Sequence, residues 1–85
     1  MNAAEALKLI QAAGRTGGFW IERHARLRMA QRGAQVADIQ RGLTVARSCK
    51  LQDNGRWKVP TEDLNGDDLT LIVALDNGVV IVTLF

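Results

Sequence analysis

His24, Arg28 and Gln31 stand at i, i+4 and i+7 in the stretch IERHARLRMAQRG, residues 21–33, and on a helix that spacing puts all three on one face. His24 is the only histidine of the chain. A histidine beside an arginine suits phosphodiester cleavage. The imidazole removes the proton of an attacking 2′-hydroxyl, and the guanidinium stabilises the charged phosphorane. Arg32, one turn beyond Arg28, extends the same positive surface. The competing reading is a solvated basic helix whose histidine is a surface or packing residue.

Two other places carry residues out of keeping with their surroundings. Thr83 interrupts the apolar run VVIVTLF, and its hydroxyl either positions a substrate phosphate or serves only as a good strand residue. Trp57 lies between Arg56 and Lys58, so it either stacks a base while its neighbours hold phosphate or closes one end of the sheet's packing. Phe19 and Trp20 read as core or staple residues. Glu62, Asp63, Asp67 and Asp68 bracket a turn without the spacing of a calcium loop, and read as a solvated turn. One histidine and one cysteine offer no zinc motif. Any hydrolysis is therefore expected to need neither metal nor cofactor.

Charge separates along the chain. Residues 1–50 sum to +6 and residues 51–85 to −4, against a net +2 for the whole. A basic half suits a polyanion such as RNA, or is simply solvated. The lone Cys49 excludes an internal disulfide, and no leader-like segment or membrane-length apolar run is present, so a cytoplasmic protein without membrane contact is expected. Eighty-five residues, 47% hydrophobic, suffice for one domain spanning residues 1–85.

Ala3, Ala6, Leu7, Ile10 and Ala13 recur at helical spacing, with Asn2 as cap and Gly14 as stop. Residues 14–18, with three glycines, read as a flexible joint. A second helix is expected from about Glu22 to Arg32, ended by Gly33, and a third with Val36, Ile39, Leu43 and Ala46 on one face. Beyond Arg47 the period becomes that of strands. Asn-Gly pairs at 54–55, 65–66 and 77–78 predict two-residue hairpin turns between strands at about 47–52, 57–63, 68–75 and 79–85. The expected fold class is α+β, with N-terminal helices packed on one face of a four-stranded antiparallel sheet.

Two-residue turns fix a register. They pair Ala74 with Ile81, Ile72 with Thr83 and Thr70 with Phe85, and set Asp63 against Asp68. Leu69, Leu71, Val73, Leu75, Val80, Val82 and Leu84 then form the helix-facing side. Lys50, Gln52, Trp57, Val59, Thr70, Thr83 and Phe85 fall on the other, a basic and aromatic surface suited to RNA.

Residues 25–39 also carry helix-turn-helix spacing, with Gly33 at the turn and Gln35, Gln40 and Arg41 as base readers. DNA binding is thus one alternative, and a non-enzymatic interaction domain another. The ordered motifs HARLRMAQRG, VADIQRGL, NGRWKV and DLTLIVALDNGVVIVTLF, within residues 19–85, resemble the domain-of-unknown-function 4258 family of small bacterial proteins. That family in turn resembles RelE-like toxins and the wider barnase-like and colicin-like ribonucleases. The resemblance implies a metal-independent endoribonuclease, often the toxin of a toxin–antitoxin pair, acting on RNA that can be ribosome-associated and held in check by a cognate antitoxin. It implies His24 and Thr83 as catalytic residues; the reading of the residues themselves sets Arg28 beside them as a third catalytic residue and Arg32, Lys50, Trp57 and Lys58 as RNA contacts. Phe85 stands where the family's pattern offers a tyrosine, and the strand lysines and arginines of RelE-like toxins are sparse here.

Overall fold

Each of the three Asn-Gly pairs makes a hairpin, but each loop is one residue longer than the two-residue form. In the computed structural model, which describes residues 1–85, the closing pairs are Gln52 with Arg56, Asp63 with Asp67, and Leu75 with Val79. The first two loops contain a turn in which Gly55 N–H donates to the Gln52 carbonyl and Gly66 N–H to that of Asp63. Gly55 and Gly66, at φ 83° and 79°, take the left-handed position, while Asn77 is the only non-glycine residue with positive φ. A two-residue turn of the favoured kind needs positive φ at both of its residues, which Asn54 and Asn65 do not supply. A single extra loop residue moves every side chain of a strand to the opposite face.

The elements are α1 (Ala3–Thr16), β1 (Phe19–Ile21), α2 (Arg23–Arg32), α3 (Val36–Val45), β2 (Lys50–Leu51), β3 (Trp57–Glu62), β4 (Asp68–Leu75) and β5 (Val79–Leu84), with sheet order β1-β5-β4-β3-β2. The class is α+β as expected, but the sheet has five strands and is mixed, not four and antiparallel. The additional strand is β1, which runs parallel to β5 with Phe19 beside Val79, Trp20 beside Val80 and Ile21 beside Ile81. Three residues are too few to show strand periodicity, and the partner lies at the far end of the sequence.

β3 meets β4 with Trp57 opposite Val73, Val59 opposite Leu71 and Thr61 opposite Leu69. Trp57 and Val59 therefore lie on the helix-facing side, contrary to the expected register, and Glu62 rather than Asp63 stands opposite Asp68. Between β4 and β5 the pairing begins as Ala74 with Val80 and Val73 with Ile81, then shifts at a bulge to Ile72 with Thr83. Val82 is the extra residue. The bulge offsets the longer turn, so the expected Ile72–Thr83 pairing holds and Thr70 exchanges backbone hydrogen bonds with Phe85 at 2.7 and 2.9 Å. Before the bulge, Val79 and Ile81 face the core where Val80 had been expected.

α1 begins in a capping box in which Asn2 Oδ1 accepts from Glu5 N–H at 2.9 Å and Glu5 Oε1 from Asn2 N–H at 3.2 Å. It does not stop at Gly14 but continues to Thr16 and ends at Gly17, φ 75°, so most of the expected joint is helix. Gly14 is where α3 crosses. A Cβ there would lie 2.4 Å from the Thr44 backbone nitrogen. α2 ends at Gly33 as expected.

One core joins Ala6, Ile10 and Ala13 of α1, Ala25 and Met29 of α2, and Ile39 and Leu43 of α3 to Trp57, Val59, Leu69, Leu71, Val73, Val79, Ile81 and Leu84 of the sheet. All three helices thus converge on the same side of the sheet. Val36, expected on the core face of α3, is exposed. No helix is long and apolar enough to cross a membrane.

Candidate functional site

With the helices on one side, the other face of the sheet has no covering layer. Its central row follows from the ladder: Lys50 pairs with Lys58, Lys58 with Ile72, and Ile72 with Thr83. At about 4.8 Å per strand, Thr83 lies about 10 Å from Lys58 and about 14 Å from Lys50 along that row. Both lysines are exposed and Thr83 is half-buried. Three residues singled out from the sequence therefore share one line across the open face.

Trp57 does not join them. Its side chain is 5% exposed and belongs to the core. Its inward position has a consequence for its neighbours, because residues i−1 and i+1 of an extended chain point together to the opposite side. Lys58 faces outward in β3. Arg56, whose carbonyl accepts from Gln52 N–H at 2.8 Å as the ladder's continuation, points the same way.

The aromatic surface the sequence assigned to Trp57 comes instead from β1. Phe19 and Ile21 turn toward the core, whereas Trp20 is 68% exposed. Its row runs through Val80 and Ala74. Phe85, 50% exposed, occupies the row of Thr70 and Pro60 at the other end of β5. Beyond that row lie Asp68 and Glu62, so the face is acidic at this end and basic around Lys50, Arg56 and Lys58. The exposed Trp20 could have been found in the sequence by reading Phe-Trp-Ile as a strand with alternating sides.

α2 borders the face along β5. Where β1 ends, Glu22 N–H donates to the Ile81 carbonyl at 3.0 Å, and Arg28 Nε donates to that of Leu84 at 3.2 Å. The helix advances about 9 Å over those six residues and the strand about 10 Å over its three, so the two run abreast. Thr83 consequently lies level with the turn that holds His24 and Arg28. His24 is exposed on that turn, and Arg28's own bonds go to Leu84 and, at 3.4 Å, to Gln31 Oε1. Arg32 donates to the Asp68 carbonyl. Together Arg28, Gln31, Arg32 and Phe85 line an open cleft of about 220 Å³. The ring of Phe85 and two guanidinium groups therefore meet at the corner between α2 and the sheet.

The helix-turn-helix geometry does not form. α3 packs on α1 and on the β3 side of the sheet, while α2 packs on β5. One of the three proposed base readers is engaged elsewhere: Gln40 Nε2 donates to the Gly14 carbonyl at 2.9 Å. Cys49 stands apart from the site, half-buried with Sγ 3.4 Å from the Ala3 carbonyl, and burial pushes its thiol pKa above the usual cysteine range. No group of three or more His, Cys, Asp or Glu side chains is placed to hold a metal ion.

No protein-family model, curated protein or solved structure matches the chain.

Proposed function

We propose that the protein binds RNA on the open face of its sheet and cleaves it without a metal at the border with α2, as the toxin-like member of a toxin–antitoxin pair. The observation that carries this reading is the shared row of Lys50, Lys58 and Thr83, beside the Arg28, Arg32 and Phe85 cleft. Lysines on one side and guanidinium groups on the other bracket a track for a polyanion. The resemblance of the quoted motifs to the domain-of-unknown-function 4258 family, and of that family to RelE-like toxins, supports the same assignment and implies the antitoxin as partner.

In the cleavage step His24 takes the proton of a ribose 2′-hydroxyl as that oxygen attacks the adjacent phosphorus. The O2′–P bond forms, the P–O5′ bond breaks, and the departing 5′ oxygen takes a proton from solvent while His24 keeps the one it removed. Arg28 stabilises the negative charge that builds on the phosphorane, and the Thr83 hydroxyl donates to a phosphate oxygen. Exposure of His24 leaves its ring free to reach a bound strand.

Cleavage of end-labelled RNA in excess chelator tests the proposal. Products ending in a 2′,3′-cyclic phosphate are expected from the native chain and none from His24→Ala, with both proteins giving the same circular dichroism spectrum. Equal cleavage by the two would remove His24 from the mechanism. Absence of RNA binding by the native chain would defeat the function itself.

A further inference from the structure

Trp20 has no structural duty that explains its position. A tryptophan 68% exposed on an edge strand leaves most of a large ring in water, and its removal would open no cavity in the core. It lies on the same uncovered face as Phe85, 50% exposed. Their rows are separated by four residues of β4, Ala74 to Thr70, and by one strand laterally. At about 3.3 Å per residue and about 4.8 Å per strand, their Cα atoms stand about 14 Å apart. Between the two rings lie Val80, Thr83 and Thr70, half-buried and apolar or hydroxyl-bearing. The positive groups of the face, Arg56, Lys58 and Lys50, lie together on the β3–β2 side, about 10–14 Å across the sheet from β5. One half of the face thus offers flat rings and the other offers charge.

That separation matches an unpaired polynucleotide with two bases over the β1–β5 side and their flanking phosphates on the β3–β2 side, the scissile phosphate lying beyond them where the backbone returns to Thr83 and α2. A duplex cannot use it, because its bases are already stacked on each other and its grooves present edges rather than ring faces. We infer that Trp20 and Phe85 are paired stacking platforms for two splayed bases, so that the site selects single-stranded RNA. The inference rests on the RNA-binding reading above and adds the state of the substrate. Each base stacked on an aromatic side chain contributes an affinity that alanine substitution lowers roughly 5- to 100-fold, with little dependence on base identity.

The test uses fluorescence anisotropy of a short labelled oligouridine and of a labelled RNA duplex, with native chain, Trp20→Ala, Trp20→Phe, Phe85→Ala and Lys58→Ala, each checked by circular dichroism. A Trp57→Phe background leaves Trp20 as the sole tryptophan, so its emission reports stacking directly. Expected are preference for the single strand, quenching of Trp20 emission by oligouridine, roughly 5- to 100-fold weaker binding in Trp20→Ala and Phe85→Ala, and near-native affinity in Trp20→Phe. Native affinity in Trp20→Ala together with a loss in Lys58→Ala would overturn the stacking pair while the RNA-binding reading stands. Equal affinity for the duplex with unchanged Trp20 emission would overturn the single-strand selection. Absence of binding to both probes would overturn the inference along with the reading it rests on.

Discussion

Replacing Trp57 by alanine separates the two registers that the turns permit. With three-residue loops Trp57 pairs with Val73 and is 5% exposed in the core. With two-residue loops it would pair with Ala74 and lie on the open face. A tryptophan burying about 150–250 Å² at about 25 cal/mol per Å² contributes ~4–6 kcal/mol, and large-to-alanine substitutions of core aromatics cost about 3–5 kcal/mol. The total stability of a domain of this length is of order 4–13 kcal/mol. The loss is therefore a large part of the whole. Urea unfolding followed by far-ultraviolet circular dichroism should show the midpoint falling by about 2–3 M at a slope of ~1.5 kcal/mol per M, with Trp57→Phe in between. Trp20→Ala, by contrast, should change stability by no more than about 0.5 kcal/mol. A Trp57→Ala variant within about 1 kcal/mol of the native chain, with reduced RNA affinity, would refute the three-residue turns and restore the outward-facing tryptophan.

Gly14→Ala reverses an ordinary trend. Alanine usually stabilises a helix interior by about 1 kcal/mol over glycine, but here the added carbon would meet the Thr44 backbone at 2.4 Å, and overpacking of this kind costs about 1–3 kcal/mol, so a lower thermal midpoint is expected. Lys50→Ala and Lys58→Ala should each reduce the slope of log affinity for single-stranded RNA against log salt by about 0.7, measured by titration at several salt concentrations. Cys49, whose thiol pKa is raised by burial, should react with iodoacetamide more slowly in the folded chain than after unfolding. The sign for stability follows. As pH rises into the cysteine range the unfolded thiol ionises first, so the folded state loses stability there, and Cys49→Ser should flatten that alkaline decline.

The chain's local chemistry was legible where a residue's neighbours in sequence decide its conformation. Asn2 before the first helix, Gly33 after Arg32, and the three Asn-Gly pairs marked where elements begin and end. Turn length was not legible in the same way, because Asn-Gly serves both a two-residue loop with two positive φ values and a three-residue loop with glycine last. That ambiguity of one residue decided which face Trp57 occupies, and with it which aromatic is offered to a ligand. Thr83 and Lys50 kept their expected face, Thr83 because the Val82 bulge restores the register beyond it and Lys50 because the one-residue shifts of the two intervening turns cancel, whereas Lys58 changed face together with Trp57. Gly14 read as a stop because the approach of Thr44 that requires a glycine comes from another helix. β1 was missed for the same reason: its partner is the last strand, and no local pattern announces it.

The position of β5 bears on how the chain is made as well as on how it works. It is the last strand in sequence yet lies inside the sheet, with β4 on one side and β1 followed by α2 on the other. During synthesis the basic helix and the strand carrying Trp20 have nothing to dock against until Val79–Leu84 has emerged, and contacts of such long sequence separation form slowly. The ring of Trp20, the guanidinium groups of α2 and the hydroxyl of Thr83 are brought into one surface by that single closing event. A nascent chain short of β5 carries Trp20 and the basic side chains of α2 but not the surface that they form with Thr83 in the folded chain.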